Sequence, residues 1–151
     1  MKEGSVLKTS DSVKKTWEIS QNLAQKLKPL IKKQGATVLL KGNLGSGKTA
    51  FTQGLGKFFK IKKINSPTFV ILKKYRGPEN IKLVHLDCYR LKSKKELQEI
   101  KLEKFINKKN VLLIIEWPEI FLKNKYKIKN CAVLNLAYIS QNKRQIIIEK
   151  L

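Results

Sequence analysis

The fold is decided by one stretch of the sequence, Gly42-Asn43-Leu44-Gly45-Ser46-Gly47-Lys48-Thr49. It fits the pattern G-x-x-x-x-G-K-[ST] at every fixed position, and its glycines let successive backbone N–H groups point into one concavity. A helix that begins inside the stretch adds its positive N-terminal end, which favours polyphosphate. The Lys48 side chain is expected to reach the β- and γ-phosphates of a nucleotide, and the Thr49 hydroxyl to bind Mg²⁺. The stretch therefore predicts a nucleotide-binding loop.

The flanking sequence predicts the secondary structure that such a loop needs. Residues 37–40 are an apolar run typical of a buried strand, and residues 111–115 are a second such run, typical of a central strand. The remaining predicted elements are a helix over 11–33 that Pro29 is expected to kink or divide, a helix over 48–59, strands over 69–75 and 81–86, a helix from Ser93 to about 106, and a hairpin of 132–139 with 144–149. This order predicts an α/β fold, a single-domain P-loop NTPase-like sandwich over residues 1–151 with a mixed central sheet and a C-terminal β-hairpin.

Two acidic residues stand at the ends of predicted strands. Asp87 ends the apolar run of residues 83–86, and Glu116 ends the run of residues 111–115. Ligands of open α/β sheets bind outside the carboxyl ends of the strands, so both acids are expected near the loop. Mg²⁺ prefers oxygen ligands and keeps several waters, so one acid could bind the metal directly and the other through water. The sequence predicts a metal-assisted site and leaves the two roles open.

The bulk composition favours a cytoplasmic protein without membrane contact. No apolar run approaches the roughly 20 residues needed to cross a bilayer, and the N-terminus leads into polar residues rather than a secretory signal. The two cysteines, Cys88 and Cys131, are far apart in the chain. That spacing argues against a disulfide framework and against a zinc site.

The formal charge of +22 has two interpretations. Lysines bind nucleic acid by releasing phosphate counterions, so a basic groove for RNA is one of them. However, only three of the 33 basic residues are arginine, and the lysines are spread over every segment together with abundant Ile and Asn. This pattern is also what AT-rich codon usage would produce, with most lysines on solvated faces. An RNA surface stays open at this point.

Four motifs occur in an order and spacing that closely resemble the TsaE family, formerly YjeE. They are the loop, Ser66-Pro67-Thr68-Phe69, His85-Leu86-Asp87-Cys88-Tyr89-Arg90-Leu91 and Ile115-Glu116-Trp117-Pro118, and the resemblance covers roughly residues 16–117. It implies a bacterial ATPase that works with TsaD and TsaB, which install threonylcarbamoyl on adenosine 37 of tRNAs reading ANN codons. It further implies that ATP binding promotes assembly with these partners, that hydrolysis supports repeated turnover, and that contact with tRNA is indirect or weak.

The resemblance also implies roles for individual residues. Thr49 and Glu116 match the Mg²⁺ ligands, Asp87 matches an acid required for hydrolysis together with Lys48, and Trp117 lies beside the metal ligand. Thr68 falls on a switch-like loop that could sense the γ-phosphate, although a simple turn role is equally open. The predicted phosphate cradle consists of Leu44, Gly45, Ser46, Gly47, Lys48, Thr49 and Ala50.

Some positions depart from the family pattern or stay unassigned. Asn43 replaces the common acid of the loop, Ser46 replaces an alanine, and Lys101 stands where the family often has glycine. His85, the only histidine, is expected to have a structural role on its strand. The roles of Tyr89 and Arg90 stay open between phosphate, partner and internal contacts.

Two other functions compete with the ATPase hypothesis. A small-molecule kinase usually brings several arginines over the phosphates, and three arginines with no evident lid insertion argue against one. A GTPase would need Asn-Lys-x-Asp, and the nearest strings, at residues 107–110 and 124–127, lack the acid. ATP is therefore favoured over GTP. The second alternative is an RNA-binding module that ATP regulates, which salt-dependent tRNA binding would support.

Overall fold

The computed structural model describes residues 4–65 and 71–149. Within those residues seven strands form one mixed sheet with the strand order β1-β7-β6-β2-β5-β4-β3. The strands are β1 Val6–Ser10, β2 Ala36–Lys41, β3 Leu72–Arg76, β4 Lys82–Asp87, β5 Val111–Glu116, β6 Cys131–Tyr138 and β7 Arg144–Glu149. The α-helices are α1 Val13–Gln34, α2 Lys48–Phe58, α3 Lys94–Glu99 and α4 Glu119–Leu122, with 3₁₀ turns at Pro78–Asn80 and Leu102–Lys104.

The strand directions place the predicted site residues along one edge of the sheet. Strands β6, β2, β5 and β4 are mutually parallel, whereas β1, β7 and β3 each run antiparallel to a neighbour. The carboxyl ends of the four parallel strands therefore lie together. The loop after β2 begins at this edge, and Asp87 and Glu116 end β4 and β5 there.

Helices cover both faces of the sheet. Helices α1 and α2 pack on one face, against a cluster that includes Val38 and Leu40. The turns of α3 and α4 cover the other face, against a cluster that includes Leu39. Successive side chains of a strand point to opposite faces, so a central strand covered on both sides is mostly apolar. This holds for β2 apart from Thr37 and its last residue Lys41, and for β5 apart from its last residue Glu116.

The structure confirms the α/β fold, the mixed sheet and the C-terminal hairpin, and it corrects several boundaries. Helix α1 runs unbroken through Pro29, whose side chain is exposed, so the missing hydrogen bond falls on the solvent side. The helix after Ser93 stops at Glu99, because Lys101 takes a left-handed conformation with φ 55°. Strand β1 was not predicted from the sequence, since its residues are mostly exposed and its partner β7 is far along the chain. Residues 69 and 70 of the predicted third strand lie outside the described residues.

Candidate nucleotide-binding site

The loop between β2 and α2 closes around its own lysine. Lys48 is the first residue of α2, and its Nζ donates hydrogen bonds to the backbone oxygens of Gly42 at 2.7 Å and Asn43 at 3.0 Å. The Lys48 residue is only 6% exposed. Its charge therefore lies inside the curve of the loop, where an anion entering the concavity would meet it.

Two glycines shape that curve. Gly42 has φ 143°, and a Cβ there would stand 2.3 Å from the backbone oxygen of Leu136 and 2.6 Å from Ser46 Oγ. Gly47 has φ 99° and directly precedes α2. A larger residue at Gly42 has neither the conformation nor the space, so the loop needs glycine there.

The first turn of α2 presents polar groups toward the loop. The backbone N–H of Phe51 donates to the backbone oxygen of Gly47 at 2.9 Å. The N–H groups of Lys48, Thr49 and Ala50 come before this bond, at the start of the helix, where backbone N–H groups have no intrahelical partner. The buried Ser46 hydroxyl has no hydrogen-bond partner among residues 4–65 and 71–149. Unpaired donors at a helix N-terminus are the groups that bind phosphate in such loops.

The two predicted acids are neighbours in the sheet. Asp87 on β4 pairs in register with Glu116 on the parallel strand β5, and Leu40 of β2 pairs with Glu116 on the other side. The Asp87 carboxylate accepts a hydrogen bond from the backbone N–H of Tyr89 at 2.9 Å. Partial burial raises the pKa of Asp87, and the negative charge of Glu116 raises it further, against the effect of the Tyr89 hydrogen bond. The sheet thus brings together the loop and both acids.

His85 contacts one of those acids. Its Nε2 lies 2.9 Å from Glu116 Oε1, with both residues buried, at 0% and 3% exposed. His85 and Asp87 are two residues apart on β4, so they lie on the same face of the sheet. The His-x-Asp spacing indicated that His85 and Asp87 share a face, but it did not identify Glu116, which is 31 residues away in the chain, as the contact partner of His85. The structural role expected for His85 is therefore that of orienting Glu116.

Trp117 covers the lysine. It adopts a left-handed backbone conformation with φ 53°, and its backbone N–H donates to the backbone oxygen of Leu40 at 3.2 Å. The Lys48 ammonium lies 4.3 Å from the centroid of the Trp117 indole ring. The centroids of the Tyr89 and Trp117 rings are 4.9 Å apart. Burial lowers the pKa of Lys48, and the charges of Glu116 and Asp87 oppose that shift. A bulky residue with positive φ is costly, and such strain concentrates at functional sites.

Arg144 reaches the loop from the C-terminal hairpin, and no sequence motif selected it as a site residue. Its Nε donates to the backbone oxygen of Gly45 at 3.1 Å, and its guanidinium lies 4.7 Å from the centroid of the Tyr138 ring. It also donates to the backbone oxygen of Ser140 at 2.7 Å. The contact to Gly45 spans 99 residues. The only local signal was that Arg144 is one of three arginines.

A small cleft of about 110 Å³ opens beside the loop. It lies between the start of α1, the start of α2 and the tip of the β6–β7 hairpin. Its lining includes Ser12, Thr16, Gly47, Ala50, Asn142 and Arg144. The cleft therefore adjoins the loop on the side of the hairpin, and it is lined largely by small or polar side chains.

Comparison with known proteins assigns the chain to a family. The sequence profile described as "Threonylcarbamoyl adenosine biosynthesis protein TsaE" matches residues 10–146. The chain belongs to the TsaE family. A TsaE protein of Rickettsia typhi is 38% identical over 145 residues, which cover 94% of this chain and 93% of that protein. A TsaE protein of Aquifex aeolicus is 31% identical over 141 residues, which cover 90% of each chain.

A solved structure shares the TsaE-family fold seen here. The crystal structure of Bacillus subtilis YdiB superimposes with a TM-score of 0.72 at 23% sequence identity, covering 97% of this chain and 85% of that one. At that identity the likeness concerns the fold. Across residues 4–65 and 71–149 no helix is long and apolar enough to cross a membrane.

The predicted site residues of this TsaE-family chain lie in different surroundings. The lysine, the two acids and Trp117 converge at the carboxyl edge, as described above. Leu44 stands at the tip of the loop, where it is 71% exposed. Thr68 lies outside the described residues, so its predicted place beside the phosphates stays a prediction. Lys101, which stands where the family often has glycine, lies in the left-handed conformation that glycine adopts most easily.

Proposed function

We propose that this TsaE-family chain is a Mg²⁺-dependent ATPase that supports biosynthesis of threonylcarbamoyladenosine in tRNA. The observation that carries the proposal is the pairing in register of Asp87 with Glu116, at the sheet edge where the loop encloses Lys48. A phosphate loop alone accounts only for binding. Two carboxylates beside it add the groups that hold a metal and direct a water molecule.

The residues present fit ATP with Mg²⁺. The loop has a buried cation, N–H groups at a helix start and an unpaired hydroxyl at Ser46, all suited to phosphate oxygens. Thr49 and Glu116 supply the hard oxygen donors that Mg²⁺ prefers, and His85 orients the Glu116 carboxylate. When bound, Mg²⁺ would neutralise charge on the phosphate oxygens.

The binding residues of the chain have separate tasks in this proposal. Backbone N–H groups of the cradle from Leu44 to Ala50 bind the phosphates, and Lys48 offsets their negative charge in binding and during hydrolysis. Trp117 restricts the Lys48 ammonium from one side, at 4.3 Å from the ring centroid. Thr68 is assigned to the γ-phosphate on sequence resemblance only.

Asp87 is assigned to hydrolysis rather than binding. A carboxylate accepts a proton from an attacking water more readily when its pKa is raised toward neutrality, and burial raises the pKa of Asp87. The hydrogen bond from the Tyr89 N–H to Asp87 Oδ1 holds the carboxylate in one orientation. Its place beside Glu116 and the raised pKa both support assigning Asp87 to activating or ordering water.

The nucleoside end of ATP is assigned to the cleft beside the hairpin. The cleft adjoins Gly47 and Ala50, so a nucleotide whose phosphates occupy the loop can extend toward it. Arg144 borders both the cleft and the loop, which supports including the hairpin in the proposed nucleotide site. This assignment adds a residue to the site that sequence patterns did not supply.

The partners proposed for this chain follow from the family resemblance. ATP binding would promote assembly with TsaD and TsaB, and hydrolysis would release the assembly for another round of tRNA modification. Such work takes place in the cytoplasm, where tRNA is modified. The site described above is built from residues of this chain, so ATP binding can be tested on the chain alone and assembly in a separate experiment.

Reconstitution tests the proposal. Unmodified tRNA, TsaD, TsaB and the threonylcarbamoyl donor are incubated with and without the chain, and modified nucleoside is measured over many turnovers. We expect repeated turnover only with the chain and hydrolysable ATP, and about one round with a non-hydrolysable analogue. Equal multi-turnover modification in the absence of the chain would overturn the assigned role.

A further inference from the structure

A second groove lies at the opposite end of α2 from the phosphate loop. It is an open groove of about 690 Å³ between the first half of α1, represented by Trp17, and the segment after α2. Helix α2 has 11 residues, so its two ends are about 16 Å apart at roughly 1.5 Å per residue. Lys48 does not line this groove. The groove is therefore separate from the nucleotide site.

Four lysines line it: Lys57, Lys60, Lys62 and Lys63. We name this set the α2-end lysines. All four are exposed, and none of the described residues that line their groove is Asp or Glu. The whole sequence from residue 19 to 78 contains no acidic residue. No salt bridge to any of the four is found in the described part of the chain.

The acids that bound this acid-free stretch are engaged with other lysines. Glu18 pairs with Lys15 at 3.0 Å on the first turns of α1. Glu79 pairs with Lys28 at 3.1 Å and also with Lys32. The nearest acids along the chain are thus not the partners of the α2-end lysines, whose charge faces solvent.

The lysines are attached to a well-anchored segment. Ile61 and Ile64 are buried, at 7% and 4% exposed, and they alternate with the lysines along the chain. Gln53 donates a side-chain hydrogen bond to the backbone oxygen of Ile64 at 3.2 Å. The Ile61 N–H donates to the backbone oxygen of Gly56 at 2.9 Å. These contacts hold the backbone from which the four ammonium groups project.

Local stability does not explain all four lysines. A cation near the end of a helix gains from the helix dipole, but this effect fades within the last turn, so it accounts for Lys57 and Lys60 rather than Lys62 and Lys63. Lys60 and Lys63 have φ of 54° and 55°. A left-handed residue other than glycine is locally unfavourable, and asparagine tolerates this conformation better than lysine. At these two positions the chain thus has lysine where the backbone favours other residues.

We propose that this groove binds the sugar–phosphate backbone of RNA. A chain of phosphates supplies repeated anions for four fixed cations, and binding releases counterions. The partly exposed Trp17 ring lines the same groove, and the Lys57 ammonium lies over it at 4.2 Å from the ring centroid, so this cation is held against the groove wall. An anionic membrane fits less well, because such binding buries exposed apolar side chains and the isoleucines here face inward. The choice of RNA among polyanions rests on the proposed function; the groove itself does not.

The chain offers a matched control for the test. Lys123, Lys125, Lys127 and Lys129 are also four exposed lysines within seven residues, and they lie beside Tyr126 and Ile128, which pack on the opposite face of the sheet. Lys125 has φ 50° and so corresponds to Lys60 and Lys63. The groove variant is Lys57→Gln, Lys60→Asn, Lys62→Gln and Lys63→Asn. The control variant is Lys123→Gln, Lys125→Asn, Lys127→Gln and Lys129→Gln, which removes the same charge.

Binding of a labelled tRNA transcript is measured by fluorescence anisotropy, without nucleotide or partner proteins, after circular dichroism has shown that both variants are folded. With four phosphates neutralised, wild-type affinity should fall on the order of 100-fold between about 50 and 200 mM salt. We expect the groove variant to lose about 10-fold or more at the lower salt with a shallower salt slope, and the control to change less than about 3-fold.

Three outcomes would overturn the proposal. Equal losses in the two variants would mean that only net charge matters. Absence of salt-dependent wild-type binding would remove the site altogether. Loss of binding to phosphatidylserine vesicles by the groove variant alone, with its tRNA binding unchanged, would also contradict it and would assign the groove to a membrane surface. ATP hydrolysis by the same protein preparations is measured in separate reactions, so failure of the ATPase proposal would be seen independently of RNA binding.

Discussion

The two ends of helix α2 both carry lysine, but the surroundings of these lysines differ. At the N-terminal end Lys48 is 6% exposed, bonded to two loop oxygens and covered by Trp117. At the C-terminal end the four α2-end lysines are exposed along an open groove. An enclosed cation binds one anion in one place, whereas a row of solvated cations suits an extended polyanion. The position of a lysine, not its presence, decides what it can bind.

The largest effect is expected from removing Asp87, the acid on β4 that lies at the same sheet edge as the enclosed Lys48. Asp87→Ala should lower ATP turnover in the complete assembly by about 10²- to 10⁴-fold, because it removes the group assigned to water, while nucleotide binding changes little. Turnover is measured by phosphate release. Glu99→Ala, at an exposed acid of α3, is the control and should behave like the wild type. Normal hydrolysis by Asp87→Ala would show that the catalytic assignment is wrong.

The comparison of the two ends of α2 can be tested directly. Lys48→Ala should weaken binding of a fluorescent ATP analogue by about 10- to 100-fold, since a charge-assisted contact contributes roughly 1.5–3 kcal/mol. Lys57→Ala, at the exposed end of the same helix, should leave that affinity within about 2-fold. Similar losses in the two variants would mean that the enclosure of Lys48 has no special role.

A further test concerns His85, which contacts the proposed metal ligand Glu116. His85→Ala should raise the Mg²⁺ concentration needed for half-maximal ATP turnover by about 10- to 100-fold, because it frees the Glu116 carboxylate. His85→Gln keeps a hydrogen-bond donor and should recover part of the loss. If both variants have the wild-type Mg²⁺ requirement, His85 does not orient Glu116 for metal binding.

The enclosed site should also be visible in stability against pH. Burial raises the folded-state pKa of Asp87 above its usual value of 3.8, so its ionisation disfavours the fold. Asp87→Asn should therefore raise the Tm at about pH 7, and the gain should shrink as pH falls through the raised pKa and disappear below the usual value. Scanning calorimetry at several pH values measures this. Glu99→Gln is the exposed control, and a gain of the same size there would contradict the effect of burial.

The smallest effect is expected at Lys101, a lysine with a left-handed backbone conformation that belongs to neither end of α2. Lys101 has φ 55°, so Lys101→Gly should relieve backbone strain and stabilise the fold by up to about 1 kcal/mol in urea unfolding. Lys95→Gly, inside α3, should instead destabilise it by about 1 kcal/mol. Destabilisation of similar size in both variants would show that the Lys101 side chain makes contacts that outweigh the strain.

Much of the fold could be predicted because it follows from local patterns. The loop glycines, the apolar runs of β2 and β5, and the acids at strand ends are all visible within a few residues. The helix after Ser93 was predicted too long, since nothing in the helical pattern showed that Lys101 would turn left-handed. Strand β1 was missed because its pairing with β7 carries little burial signal.

The candidate site was predictable only in part, for a related reason. Asp87 and Glu116 were selected from their strands, but the contact of His85 with Glu116 and that of Arg144 with Gly45 join residues 31 and 99 positions apart. Such contacts depend on which strands are neighbours and on where the hairpin folds back. Local sequence patterns do not carry this information.

The sequence by itself determined the phosphate loop, the α/β class and the family resemblance, because each depends on residue types at short, regular spacing. The tertiary structure alone decided that Lys48 is enclosed while the α2-end lysines are exposed, and that the hairpin brings Arg144 to the loop. The physical reason is that burial and electrostatic environment arise from long-range packing. Lysines that look alike in the sequence acquire different chemistry only when the sheet and its two helical layers assemble.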